Sequence, residues 1–273
     1  MRILVTGASS FVGAWFCTLA ASRGHDVLGL WNNTPLALDN VKSITADVNH
    51  FSPKQVDVVV HLAAKVMPTD ARAQNRKMLD TVLSWGFPLV YASSTMVHWP
   101  RKNQYAESRV EDEARVRASG LPWLIVRPCA PWGPKHPTHK PAHTESFHTL
   151  ARLARKAPFV PTPGRADVLR QPVHVDDFNG AILGLLERGV WNAAFDAGGP
   201  EAISVRTIIE RLAAPRKARI IEVPEAVAKV AGRFLKNFSE DTLATFATDD
   251  TADPGPLQAA SGVTPRRFDG AAI

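Results

Sequence analysis

The chain opens on Met1-Arg2-Ile3-Leu4-Val5-Thr6-Gly7-Ala8-Ser9-Ser10-Phe11-Val12-Gly13. An apolar run that breaks at glycine and re-enters as a helix reads as a buried strand, a tight turn and a helix N-terminus. Such a turn gathers backbone N–H groups and the positive end of a helix dipole at one point, where a pyrophosphate can sit. The flanks sharpen the reading: a helical pattern runs from Ala14 to Arg23, and Gly24-His25-Asp26 leads into a second apolar run, Val27 to Trp31. A strand-to-helix turn with no ligand is the bland alternative, and this context weighs against it.

Outward from that turn, apolar runs alternate with helical stretches, the pattern of an α/β protein with a doubly wound parallel sheet and helices on both faces. Strands are expected at Ile3 to Thr6, Asp26 to Trp31, Val41 to Thr45, Val56 to Leu62, Pro88 to Ala92 and Trp123 to Arg127. Helices are expected at Val12 to Ser22, Ala71 to Trp85 and Tyr105 to Ser119, the last stopped by Gly120 and Pro122. After Pro128 the texture changes: proline and histidine are dense from Pro131 to His143, a helix is expected from Thr144 to Lys156, and Pro158 to Gly164 is a Pro-rich link. The expected division is a dinucleotide-binding domain over 1–128, with 168–198 returning to it, and a small C-terminal substrate lobe from 129–167 and 199–273.

Composition bounds the class. With 273 residues, 45% of them hydrophobic, the chain can bury a sizeable core. No run approaches the ~18 apolar residues of a membrane helix, and the N-terminus enters a strand rather than a leader, so a cytoplasmic protein with no membrane partner is expected. Cys17 and Cys129 are the two cysteines and suggest neither a disulfide framework nor a zinc site. The net charge of +6 suits an anionic ligand or a well-solvated surface. No long Lys/Arg run or aromatic-interleaved patch points to nucleic acid.

With the glycine turn placed, the chain resembles the extended short-chain dehydrogenase/reductase superfamily, in particular the NAD-dependent epimerase/dehydratase group that acts on sugar nucleotides. Thr6 to Gly13 is similar to T-G-x-x-G-x-x-G, and Asp57-Val-Val-Val-His-Leu-Ala-Ala64 to D-x-V-x-H-x-A-A. Tyr91-Ala-Ser-Ser-Thr-Met-Val97 resembles the serine-bearing fifth strand, and Tyr105-Ala-Glu-Ser-Arg109 falls where the family has Y-x-x-x-K. Arg127 to Pro134 resembles R-P-x-x-x-Y-G-P, Pro172 to Phe178 the H-V-D-D segment, and Phe195 to Pro200 with Gly262 to Pro265 the closing strand and tail. The resemblance runs nearly end to end.

Residue chemistry can be set beside it. Hydride transfer at a carbinol carbon needs a partner for the hydroxyl proton, and a tyrosine near a cation can serve. On a helix, Tyr105 and Arg109 are four apart and share a face. The resemblance makes Ser94 the residue that polarises the substrate oxygen; Ser93 or Thr95 can take that task if the strand register differs. An ordinary exposed helix pair is the plain alternative for Tyr105 and Arg109.

Three departures from the pattern carry consequences. Arg109 replaces the family lysine with a larger, planar, permanent cation. Ser10 replaces the middle glycine, so its side chain must turn away from the phosphates. Trp31, followed by Asn32, stands where an acidic residue usually holds the adenine ribose, which favours NADP while leaving NAD open. The resemblance also implies that Gly7, Ser10, Phe11 and Val12 line the pyrophosphate and Asp47 meets the adenine. It further implies that Leu62, Ala63, Ala64 and Lys65 wrap the ribose and phosphates, with Pro128 to Ala130 flooring the nicotinamide.

Arg170, four residues before His174, matches the family's diphosphate-binding arginine, with a plain surface arginine as the alternative. His174 and Asp176 read as structural, a buried anchor and a helix N-cap respectively. His136, His139, His143 and His148, with Glu145 among them, match no zinc spacing, so no metal is expected. Trp99 and Trp132 read as packing residues. The expected function is that of an NAD(P)-dependent oxidoreductase or epimerase acting on a nucleotide-linked sugar, in its favoured form the reduction of a keto group with Tyr105 as proton donor. The alternatives are a reductase of a non-nucleotide carbonyl and a catalytically silent NAD(P)-binding sensor or assembly protein. Relatives imply a homodimer formed through the helices at Ala71 to Trp85 and Tyr105 to Ser119.

Overall fold

The computed structural model describes residues 1–65, 70–143, 146–217, 219–224, 227 and 247–273. Seven strands form one parallel sheet: β1 (Arg2–Thr6), β2 (Asp26–Trp31), β3 (Val41–Thr45), β4 (Val58–His61), β5 (Leu89–Ala92), β6 (Trp123–Pro128) and β9 (Ala193–Ala197). Their order is β3-β2-β1-β4-β5-β6-β9, so the winding reverses between β1 and β4, and the crevice at that switch point is where such sheets take ligands. Register brings the functional strand ends side by side: Thr6 lies opposite Leu30 and His61, and His61 opposite Tyr91.

Both faces of the sheet are buried, which explains why its strands read as apolar runs. Ile3 and Val5 point to one face and pack with Phe16 of α1 (Phe11–Ser22) and with Phe178 and Ile182 of α5 (Val175–Glu187). Leu4 points to the other face, where Leu79 of α2 (Ala71–Ser84) and Val116 of α3 (Gln104–Arg117) cover it together with Tyr91 and Ile125. Helix α3 starts one residue before its expected position because Asn103 caps it, its side chain accepting from Ala106 N at 2.8 Å. Glu107 in its first turn and Arg115 and Arg117 in its last turn complement its dipole.

A third apolar group lies beyond the sheet. Trp132, Phe147 of α4 (Ser146–Lys156), Ile208 and Leu212 of α6 (Val205–Ala213), and Phe268 pack together. Around it run two small ladders, β7 (Val160–Pro163) with β11 (Ile220–Val223) and β8 (Leu169–Arg170) with β10 (Ile203–Ser204). Helix α7 (Gly255–Ser261) returns to α5 and closes on Gly262, whose φ of 75° is left-handed. Of the expected helix Thr144 to Lys156, Thr144 and Glu145 lie outside the described residues.

One structural expectation is corrected. Asp176 does not cap α5: His174 does, its Nδ1 accepting from Asp176 N at 3.1 Å, while Asp176 sits in the first turn. Burial and the nearby Arg266 lower the His174 pKa, which keeps Nδ1 unprotonated and able to accept. Among the described residues no helix is long and apolar enough to cross a membrane.

Candidate active site

The glycine turn is held backbone to backbone. Gly7 has φ +72°, and a Cβ there would stand 2.6 Å from Ala63 N, so the end of β1 and the loop after β4 touch through bare main chain. Ser10 caps α1 with ordinary dihedrals, φ −77° and ψ 169°, and its Oγ accepts from Gly13 N at 3.0 Å. The hydroxyl is therefore folded onto the helix and out of the crevice, which removes the steric objection to serine here. The N–H groups of Phe11 and Val12, in the first turn of α1, have no intrahelical acceptor and suit phosphate oxygens. A dinucleotide pyrophosphate fits this cradle.

Around the rim, the Trp31 indole donates to Ser43 Oγ at 2.6 Å and reaches across to β3. Asn32 Nδ2 donates to Asp47 Oδ2 at 3.4 Å, and Asp47 Oδ1 accepts from Asn49 N at 2.8 Å, so Asn32 and Asp47 are brought together. Leu62 N donates to Thr6 O at 3.1 Å. The Lys65 main chain is pinned by Asn75 of α2, its N–H donating to Asn75 Oδ1 at 2.7 Å and its carbonyl accepting from Asn75 Nδ2 at 2.9 Å. Beyond Pro128, Ala130 has φ 42°, an unfavourable conformation for a residue with a Cβ. The neighbouring main chain holds it there: Cys129 N donates to Ala197 O at 2.9 Å, and Trp132 N to Val173 O at 2.9 Å.

At the end of β5 the three hydroxyls separate. Ser93 Oγ donates to Glu113 Oε1 at 2.6 Å, and Glu113 also takes Arg127 Nε and Nη2 at 2.7 Å each, so Ser93 is committed to a buried ion pair. Ser94 caps the short turn Thr95–His98, accepting from Met96 N at 3.2 Å, and its own proton meets no acceptor among the described residues. Thr95 Oγ1 donates weakly to Pro128 O at 3.4 Å.

Tyr105 is half-buried in the first turn of α3, and Arg109 one turn later is buried. The Arg109 guanidinium carbon lies 4.8 Å from the centre of the Tyr105 ring and 5.6 Å from that of Tyr91. Arg109 Nη1 donates to Tyr91 Oη, which donates in turn to Asp112 Oδ2 at 2.7 Å. Arg109 Nε and Nη2 are buried with no partner among the described residues. Burial works against the Arg109 charge, but Tyr105, Tyr91 and Asp112 outweigh it and raise the pKa. Burial, and secondarily Arg109, pull His61 down to about 3, so its ring is neutral; Nδ1 meets Thr6 Oγ1 at 2.7 Å. Burial holds the Tyr91 phenol well above its ordinary value. Sequence reasoning missed Tyr91, Asp112 and His61 as members of this cluster; the i,i+3 spacing from Arg109 could have found Asp112, while Tyr91 and His61 arrive from β5 and β4 and give no local signal.

Arg170 lies elsewhere. Its Nη1 donates to Leu169 O and to Thr248 O, each at 2.7 Å. Burial lowers its pKa against the opposing charge of Asp250. Asp250 in turn accepts from Trp99 Nε1 at 3.1 Å, and Cys129 Sγ donates to Asp250 O at 3.1 Å. Trp99 and Trp132 are buried, as packing residues are. The histidines of the Pro-rich segment serve as struts: His136 Nε2 meets Thr18 Oγ1 at 3.0 Å, His139 Nε2 donates to Ser9 O at 2.9 Å, and His148 Nε2 to Gly133 O at 3.0 Å. Among the described residues no three His, Cys, Asp or Glu side chains gather to hold a metal ion, and Glu145 lies outside them.

Comparison with curated proteins gives no match. Among solved structures, MoeE5 in complex with UDP-glucuronic acid and NAD is 21% identical, covers 100% of this chain and 97% of its own, and superposes with a TM-score of 0.78. UDP-glucuronic acid 4-epimerase from Bacillus cereus, in complex with UDP-glucuronic acid and NAD, is 18% identical over 100% and 96% of the two chains, with a TM-score of 0.75. UDP-glucose 4-epimerase from Thermus thermophilus, in complex with NAD, is 18% identical over 100% and 96%, with a TM-score of 0.72. At these identities the likeness carries the fold. The profile of the NAD dependent epimerase/dehydratase family matches residues 3–198, most of the chain. The chain belongs to the NAD-dependent epimerase/dehydratase family of enzymes.

Proposed function

We propose that the chain is an oxidoreductase that reduces a keto group on a nucleotide-linked sugar, with NADP as the preferred cofactor. The observation that carries this reading is the Arg109 guanidinium set against the Tyr105 ring, a permanent cation beside a half-buried phenol at the C-terminal ends of the strands. When bound, a reduced nicotinamide supplies the hydride. The chain supplies the proton: Tyr105 donates it to the carbonyl oxygen as that oxygen gains charge, and Arg109 stabilises the phenolate left behind. Ser94, with its hydroxyl proton free, donates to the same oxygen and fixes its position.

Gly7, Ser10, Phe11 and Val12 would hold the pyrophosphate, Asp47 the adenine, and Leu62 to Lys65 the adjoining ribose and phosphates. Pro128 and the strained Ala130 would floor the nicotinamide. Trp31 and Asn32 bring no carboxylate of their own, which supports NADP, although the Asp47 carboxylate held by Asn32 is a negative charge that a 2′-phosphate would have to avoid. Arg170 would take the substrate, with 1–128 and 168–198 serving the cofactor and the remainder forming the substrate lobe. That MoeE5 and the Bacillus cereus epimerase bind UDP-sugars supports a nucleotide sugar as the substrate class. We further propose a homodimer formed through α2 and α3.

A second reading, a silent NAD(P)-binding protein, draws on Arg109 being turned inward to Tyr91 and Asp112. NADPH oxidation in the presence of UDP-linked keto-sugars separates the two. Steady turnover that disappears in Tyr105→Phe is expected, and no turnover with any carbonyl would leave the silent binder. Mass spectrometry of ligands retained by the purified protein tests the substrate class directly.

A further inference from the structure

We propose that Asp112 is a positioning residue that acts on Arg109 through Tyr91. The proposal rests on Tyr105 being the proton donor. Arginine reaches a buried site on a long, flexible stem, and its planar head must be turned the right way to stay against the phenol. Here the turning is done by a chain of two hydrogen bonds. Tyr91 Oη gives its only proton to Asp112 Oδ2 at 2.7 Å, so its lone pairs face the guanidinium and accept from Nη1.

The head is thereby held with its carbon 4.8 Å from the Tyr105 ring centre, and Nε and Nη2 are left without partners among the described residues. Asp112 Oδ2 itself stands 3.8 Å from Nη1, too far for a direct hydrogen bond, so its hold on the arginine passes through the phenol. The titratable groups around the guanidinium are Tyr91 from β5, Asp112 and Tyr105 from α3, and His61 from β4. A lysine, as a compact point charge, would need no such orientation, which gives Asp112 and Tyr91 a task specific to arginine at position 109.

The split between kcat and KM reads the positioning. Asp112→Leu removes the acceptor of the Tyr91 proton and is expected to lower kcat for NADPH oxidation by roughly 10-fold or more, because the guanidinium leaves the Tyr105 ring. The KM for the carbonyl substrate and the affinity for the cofactor should stay within a few-fold of wild type. If Asp112 is only structural, the folded variant keeps its kcat, or kcat and KM worsen together. Either of these outcomes overturns the proposal.

Thermal melting confirms that the variant is folded. Should Asp112→Leu fail to fold, Tyr91→Phe keeps the ring and removes the bridging hydroxyl, with the same loss of kcat expected. In an Arg109→Lys background the effect of Asp112→Leu should shrink by at least half, and an equal effect in both backgrounds refutes the arginine-specific role. Wild-type turnover that both substitutions leave unchanged refutes the positioning role alone, whereas a wild type that oxidises no NADPH refutes the oxidoreductase reading and the positioning role with it.

Discussion

The guanidinium carbon of Arg109 stands 4.8 Å from the centre of the Tyr105 ring, with both residues on one face of α3. If this pair performs acid catalysis, Tyr105→Phe lowers turnover by roughly 100- to 10,000-fold and leaves cofactor affinity within a few-fold of wild type. Steady-state NADPH oxidation together with calorimetric cofactor titration checks both parts. Turnover that survives the substitution would place the proton donor elsewhere.

Gly7→Ala is expected to damage more than phosphate binding. Considered alone, the glycine turn predicts a folded protein that has lost its dinucleotide. However, the added Cβ would meet Ala63 N at 2.6 Å in a backbone of φ +72°. Stability should fall by about 2 kcal/mol or more, alongside weaker cofactor binding, in a denaturant titration. Wild-type stability would show that the loop after β4 yields easily.

His61 predicts an acid-labile fold. Its folded pKa is lowered from 6.5 to about 3, first by burial and then by Arg109. Between those values the unfolded chain binds more protons than the folded one, so stability rises with pH across that window. The contribution is complete above about pH 6.5 and is lost as pH falls toward 3, on the order of a few kcal/mol. His136, His148 and His174 are lowered too, with burial the largest cause in each, and add in the same direction. His61→Asn should flatten the dependence of the melting temperature on pH through this range. An unchanged slope would assign acid sensitivity to the other histidines.

Trp31→Asp should shift the cofactor preference toward NAD by about tenfold or more, since a carboxylate accepts from ribose hydroxyls and repels a 2′-phosphate. Competitive titration with both nucleotides reads the ratio. An unchanged ratio would place the discriminating contact at another residue.

Arg170→Ala should raise the KM for a nucleotide sugar by roughly 10- to 100-fold, with cofactor affinity unchanged, if its side chain grips a diphosphate. The contacts it makes to the Leu169 and Thr248 carbonyls use one nitrogen, Nη1. A variant with the KM of wild type would move the substrate class to a non-nucleotide carbonyl.

The sheet is legible in the sequence because its determinants are local. Strand β1, the turn at Gly7 and helix α1 follow from thirteen consecutive residues, and the apolar runs of β2 and β3 match the observed strands end for end. Errors concentrate where a hydrogen-bond partner decides the outcome. His174 rather than Asp176 caps α5 because a neutral ring nitrogen faces the first N–H groups, which no spacing rule reveals. Ser93 drops out of the candidate hydroxyls because Glu113, twenty residues on, claims it through space. Asp112 draws no attention for the same reason, since its importance depends on Tyr91 arriving from a different element.

The proline- and histidine-rich segment after β6 is fastened to the first helix and its turn at three points: Pro134 O accepts from Trp15 Nε1 at 3.2 Å, His136 meets Thr18, and His139 reaches the carbonyl of Ser9. The strip of chain that follows β6 is therefore stitched to the same turn whose N–H groups suit phosphate oxygens. Should the turn and this strip each hold a ligand, reciprocity requires that whatever one does to the affinity of the other is returned by the same factor.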